Sequence, residues 1–205
     1  MNHTEMLKFV KKTLEDGNAI RSSNPCFGFR NRYEHTKRVY SWCMRIMDDF
    51  PDCDREMVLV SAIFHDVGYA KNKENHAHES AKLFIEYAEL HNLDYEFTMR
   101  TAYLISLHSN KELLQEGNIP DELIILLEAD LLDEEGAMGI AWDLMGEGAK
   151  NPTSFEQGLQ SLCGHSGHIL HQEYMVSPLA KKYWKEKQDF VREFIKNLSS
   201  DLFIG

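Results

Sequence analysis

Met57-Val58-Leu59-Val60-Ser61-Ala62-Ile63-Phe64-His65-Asp66 is an apolar run that ends in two side chains able to bind a cation. Leu59, Ala62 and Ile63 fall at helical spacing and lead onto Asp66, while Val58 and Ala62 lead onto His65. The repeat at three and four residues reads as a helix with its apolar face in a core. A carboxylate at the end of such a face is costly unless it is paired, hydrogen-bonded or bound to a cation.

The same period extends in both directions along the chain. It predicts helices over about 4–16, 33–49, 54–67, 76–91, 94–109, 120–131, 133–147, 153–163 and 178–199, and alternating β-branched runs hardly occur. The fold class is therefore all-α. Gly17-Asn18, Pro51-Asp52, Gly117-Asn118-Ile119-Pro120 and Asn151-Pro152-Thr153 punctuate the helices. The pattern is weakest from Gly146 to Ser177 and returns after Pro178 in a stripe through Leu179, Tyr183, Phe190 and Phe194. No repeat or low-complexity tract divides the sequence, so 1–205 reads as one domain with a helical C-terminal extension over about 150–200.

Composition narrows the function. With 22 Lys and Arg against 33 Asp and Glu, the net charge is −11, which lacks the basic footprint expected for long nucleic acid. The longest apolar stretches fall far short of a membrane span, and the N-terminus lacks a signal-like segment. The four cysteines form no CxxC pair, and Cys43 sits in an apolar helical pattern. Together these point to a reduced, cytoplasmic protein with a small-molecule partner and no membrane association.

Metal-capable residues recur on apolar stripes. His35 shares a face with Val39, Trp42 and Ile46; His108 follows Leu104 and Ile105; Asp130 follows Leu123, Leu126 and Leu127; His76 lies over Ser80, Leu83, Phe84 and Tyr87. Any one histidine placed so is more often a core residue bonded to a carbonyl than a ligand. As a set, imidazoles and carboxylates from separate helices can hold one or two divalent ions, with Mn, Fe, Co, Ni or Zn suited better than Mg. A carboxylate such as Asp66 could bridge two ions, clamp an in-line displacement at phosphorus and supply hydroxide near neutral pH.

The order His35, His65-Asp66, Asp130 resembles the H…HD…D signature of the HD-domain superfamily of metal-dependent phosphohydrolases. Supporting similarities are Arg30-Asn31-Arg32-Tyr33-Glu34-His35-Thr36-Lys37-Arg38-Val39, Ala62-Ile63-Phe64-His65-Asp66-Val67-Gly68 and Glu128-Ala129-Asp130-Leu131-Leu132-Asp133 followed by Gly136-Ala137. They span about 30–145, and Ser177-Pro178-Leu179-Ala180 also looks like small bacterial members. The resemblance implies an HD-type helical bundle in which His35, His65, Asp66 and Asp130 bind one metal. His76 and His108 look like the extra ligands of the H…HD…H…H…D subset, whose members hold a dinuclear site. His78 is the rival to His76, because Ala81, Ile85 and Ala88 give it an apolar face of its own.

That subset implies hydrolysis of a nucleotide or another small phosphate ester by metal-activated hydroxide, with His65 and Asp66 in the catalytic centre. The alternatives are a di-iron oxygenase similar to myo-inositol oxygenase and a binding-only module. Arg30, Arg32 and Lys71 are candidate substrate-binding cations, and Lys73 reads as a solvated charge. Asp133 could steady a ligand histidine or orient water, or else cap the helix that follows. His165, His168 and His171 read as loop or helix-surface histidines outside the metal set, and so do His3 and His91, the latter favourable at a helix C-terminus. Trp42, Trp142, Tyr87 and Trp184 fall on helical stripes and read as core, whereas Tyr69 and Tyr103 are nearer candidates for stacking against a substrate.

Overall fold

In the computed structural model, which describes residues 1–150 and 153–202, local chemistry sets the helix starts. Asn2, Asn31, Asp54, Asp94, Ser154 and Ser177 each accept a hydrogen bond from a backbone N–H of the helix they precede. Such caps satisfy N–H groups that have no partner within the helix. The resulting helices are α1 (His3–Asp16), α2 (Arg32–Ile46), α3 (Arg55–Phe64), α4 (His76–Leu90), α5 (Tyr95–Leu107), α6 (Asp121–Glu134), α7 (Ala137–Gly148), α8 (Phe155–Gly164) and α9 (Pro178–Asp201). Short 3-10 turns join several of them, and among the described residues there is no strand, only an isolated bridge between Arg21 and Asn31. The all-α expectation holds. Asn151-Pro152, expected to open the eighth helix, lies outside the described residues.

The helix α3 lies at the centre and is buried on almost every side. Its Val58 and Ala62 face a core shared with α2, α6 and α9, while Val60, Ile63 and Phe64 face a second core shared with α1, α4 and α5. A helix apolar all round belongs inside a protein. The run that reads as one stripe in the sequence thus serves two cores, and His65 and Asp66 follow at its buried C-terminal end.

Two helix ends and one buried face differ from the periodic reading. The α3 helix stops at Phe64, and the chain tightens into a 3-10 turn over Val67–Ala70. A Cβ on Gly68 would lie 2.1 Å from the His76 carbonyl oxygen, so only glycine lets this turn press against the start of α4. The helix α6 runs on through Asp133 and ends at Glu134; Gly136, at φ 74°, turns the chain into α7. Asp133 therefore does not cap the next helix. In α9 the deepest face is Ala180, Trp184, Gln188 and Val191, with Phe190 50% exposed rather than in the expected stripe. The Trp184 indole N–H donates to the Gln172 carbonyl at 2.8 Å, which turns that face inward.

The start of α9 is tied to the helix that carries Asp130. Glu128 on α6, fully buried, accepts from Val176 N, Ser177 N and Ser177 Oγ at 2.5, 2.8 and 2.6 Å. Burial pushes its carboxyl above the usual carboxylate range, against these three bonds. No helix among the described residues is long and apolar enough to cross a membrane.

Candidate metal centre

Five chain segments deliver six side chains to one place. His35 stands in α2, His65 and Asp66 at the end of α3, His76 at the first position of α4, His108 at the end of α5 and Asp130 within α6. His35 Nε2 lies 3.1 Å from His65 Nε2, 3.1 Å from Asp130 Oδ1 and 3.7 Å from Asp66 Oδ2. Asp66 Oδ1 lies 3.8, 3.6 and 3.3 Å from the Nε2 atoms of His65, His76 and His108. Asp66 thus belongs to two groups, one with His35 and His65 and one with His76 and His108. His78 is exposed, whereas His76 lies in the second of these groups.

The histidines are aimed by their backbones. His65 Nδ1 donates to the Ala62 carbonyl and His108 Nδ1 to the Ile105 carbonyl, both at 2.8 Å, and His76 Nδ1 to the Lys73 carbonyl at 3.2 Å. Each acceptor is the carbonyl three residues back. At the ends of α3 and α5 these carbonyls lie in the last turn, where the helical partners run out; Ile105 also takes the His108 backbone N–H at 3.4 Å, and the side-chain bond points Nε2 inward. His35 Nδ1 pairs instead with Asp133 Oδ2 at 2.7 Å, and Arg38 grips the same carboxylate at 2.7 and 2.9 Å.

This arrangement tests whether the residues fit a metal. A carbonyl can only accept, so Nδ1 carries the hydrogen in His65, His76 and His108, and their Nε2 atoms are left as lone pairs. These converge with two carboxylates on one centre, acceptor facing acceptor, and only a proton or a cation satisfies them together. Two ligands about 2.1 Å from one ion, at tetrahedral or octahedral angles, stand about 3.0–3.4 Å apart, close to the shorter separations found. The donor set fits divalent transition ions.

The charges follow from the packing. Burial opposes ionised Asp66 and Asp130, yet the surrounding imidazoles, joined at Asp130 by the Lys111 ammonium, hold both well below the usual carboxylate range. Burial pushes His65 down to about 4. Burial also opposes charge on His35, but its bonds to Asp130 and Asp133 outweigh it and raise this imidazole well above the ordinary histidine range. Burial lowers His76 as well.

The centre opens on a cavity of about 410 Å³. Arg30, Arg32, Arg38 and Lys111 stand in its wall, as do Glu34 and Glu134. The Arg30 guanidinium lies 3.3 Å from the Trp142 ring centroid and 3.1 Å from Glu134 Oε1. Arg32 covers Tyr69 at 3.7 Å, and Tyr69 stacks on His76 at 4.1 Å. Phe29, Met138, Ala141, Trp142 and Met145 contribute apolar surface to the same wall.

Several sequence readings change here. Lys71 is exposed and borders a separate depression with Thr13, Asp16 and Gly17, so the structure does not bring it to the cavity. The 3-10 turn after Asp66 carries it past the opening. Trp142, read as core, lines the cavity because α7 turns that face toward the 25–29 segment; Tyr103, read as a stacking candidate, is 56% exposed elsewhere. Trp184, Tyr87 and Cys43 are buried as expected. Outside this centre, His168 Nε2 lies 3.2 Å from Glu135 and His3 bonds Tyr40 and Glu56. Arg38 and Lys111 were not singled out from sequence; the four-residue step from Glu34 to Arg38 and the step from His108 to Lys111 were the available signals.

Residues 32–135, which include His35, His65, Asp66, His76, His108 and Asp130, match the family model of the HD domain. The chain belongs to the HD-domain family. Solved structures share this HD-domain fold over nearly the whole length. An HD-superfamily hydrolase from Bacillus thuringiensis is similar with a TM-score of 0.70 at 18% identity, covering 98% of this chain and 97% of that one. YpgQ from Bacillus subtilis, in complex with ADP, is similar with a TM-score of 0.67 at 18% identity, covering 97% and 93%. The Lin1889 protein from Listeria innocua is 24% identical, with a TM-score of 0.62 over 100% and 99% of the two chains. Among curated proteins, none matches this HD-domain chain in sequence.

Proposed function

We propose that this HD-domain protein is a metal-dependent phosphohydrolase acting on a nucleotide or another small phosphate ester. The observation that carries the reading is the convergence of four imidazole nitrogens and two carboxylates at the base of a cavity walled by Arg30, Arg32 and Lys111. In this reading His35, His65, Asp66 and Asp130 hold one divalent ion, and His76 and His108 with Asp66 hold a second. Such ions supply Lewis acidity toward water and toward phosphoryl oxygens.

The protein's own groups then bind and orient. Arg30 and Arg32 neutralise phosphoryl oxygens beside the centre. Asp133 accepts the Nδ1–H of His35 and so keeps the opposite nitrogen directed at the ions. The carboxylates Asp66 and Asp130, ionised by their surroundings, balance the positive charge. No cysteine or serine nucleophile enters the scheme.

A nucleotide is the favoured substrate in this reading because one cavity carries both the Arg30 and Arg32 cations and the apolar side chains Trp142, Met138 and Met145. YpgQ, which shares the fold, binds ADP. The net charge of −11 disfavours long nucleic acid. We further propose that 1–205 act as one domain, with α8 and α9 as an extension, in the cytoplasm.

The test is metal analysis of the purified chain, followed by a panel of nucleotides and small phosphate esters. The expected result is Mn, Fe, Co, Ni or Zn in the protein and chelator-sensitive release of phosphate, pyrophosphate or nucleoside, abolished by Asp66→Asn and unchanged without oxygen. Failure to bind any of these ions, or failure to turn over any panel member with each ion supplied, refutes the reading.

A further inference from the structure

We infer that Lys111 is a positioning residue for the metal centre. The inference rests on the metal-site reading above and not on the identity of the substrate. Lys111 opens the 3-10 turn Lys111–Gln115, three residues beyond His108. Its Nζ donates to Asp130 Oδ2 at 2.5 Å and to the His108 carbonyl oxygen at 2.8 Å. The other oxygen of Asp130, Oδ1, stands 3.1 Å from His35 Nε2 and 3.9 Å from His65 Nε2.

One ammonium therefore does two things. It occupies the outer oxygen of Asp130, so that a single oxygen faces the histidines. It also fastens the end of α5, which carries His108, to α6, which carries Asp130, and so sets the distance between ligands of the two groups. Both partners are sheltered: the Asp130 side chain is 13% exposed and His108 is 1% exposed. An ordinary surface lysine pair, with both heads in water, would hold neither.

The rival account is that Lys111 merely competes with a cation for Asp130. The two accounts differ in sign. Removing a competitor takes away a positive charge that repels the ion, so binding tightens. Removing a positioning group frees the carboxylate to rotate, so binding weakens, typically by about 10- to 100-fold.

The experiment titrates the full-length, metal-stripped chain with Mn²⁺ and with Zn²⁺ against a chelating dye, and counts ions per chain by native mass spectrometry. Lys111→Met should weaken binding about 10- to 100-fold. Lys111→Arg, which keeps charge and donors, should stay within a few-fold of the unsubstituted chain. Helical circular dichroism and the urea midpoint establish that each variant is folded. If Lys111→Met does not fold, Lys111→Gln, which keeps one donor without charge, carries the test with the same expected direction. Equal or tighter binding by a folded variant overturns the inference. Equal weakening by Lys111→Arg also overturns it. If the unsubstituted chain binds neither ion, the metal-site reading itself falls; if it binds both and the variants match it, only the role of Lys111 falls.

Discussion

Replacing Asp133 with asparagine removes a charge from the support of the metal centre while leaving the side chain's size unchanged. Asp133 is 2% exposed and accepts three hydrogen bonds, one from His35 Nδ1 at 2.7 Å and two from Arg38 at 2.7 and 2.9 Å. An asparagine oxygen can still accept from His35, but its amide N–H groups then face the Arg38 guanidinium, donor against donor. Loss of a carboxylate that orients a ligand histidine costs about 10- to 100-fold in metal affinity, or about 1.4–2.8 kcal/mol. The stability cost is smaller than for a fully buried pair, on the order of 1–2 kcal/mol, because the Arg38 side chain is 40% exposed and water replaces part of what it loses. The assay is a competitive metal titration of Asp133→Asn beside the unsubstituted chain, with urea denaturation of both. A folded variant with unchanged metal affinity would refute the role of Asp133 as the support of His35.

Three further outcomes are expected. Trp142→Ala should raise the KM of nucleotides roughly 5- to 150-fold, the equivalent of about 1–3 kcal/mol of base stacking, while leaving small phosphate esters without a base nearly unchanged in steady-state kinetics. Gly68→Ala forces a Cβ against the His76 carbonyl, so the chain should lose about 1–3 kcal/mol or more in urea denaturation and should lose the ion held by His76 and His108 first. Glu135, 10% exposed at its side chain, is pushed up to about 7 from 4.5 by burial, against the attraction of His168. Its folded form therefore keeps a proton that the unfolded chain releases, and stability falls as pH rises from about 4.5 to about 7, by on the order of 3 kcal/mol. His65, held at about 4, acts in the opposite direction over part of that range, so the comparison is with Glu135→Gln, whose urea midpoint should lack this decline. Parallel pH profiles of the two chains would count against it.

The helices were readable because each rests on contacts between near neighbours. A cap such as Asp54 on Met57 N and a stripe such as Val39 and Ile46 in α2 lie within a few turns of sequence. Where a boundary depended on a distant partner, the periodic reading failed. Asp133 looks like a cap in sequence because a new helix follows soon after it, but His35 and Arg38 on α2 hold it inside α6. The α3 run looks like a continuous helix to residue 67 until the approach of Gly68 to α4 is known. Trp142 and Tyr103 show the same limit: an aromatic residue on a stripe does not reveal which neighbour faces the stripe.

Residue types and their spacing were enough to predict the helical class and to place metal-capable side chains on apolar faces. Those rest on period and on donor chemistry, which any chain carries in its order. The depth of Asp66 between two ligand groups, the grip of Arg38 on Asp133, the link from Lys111 to Asp130 and the exclusion of Lys71 were decided only when five segments packed together. Long charged side chains reach several ångströms from their backbones, so their partners depend on how helices cross, and no spacing within one helix encodes that crossing.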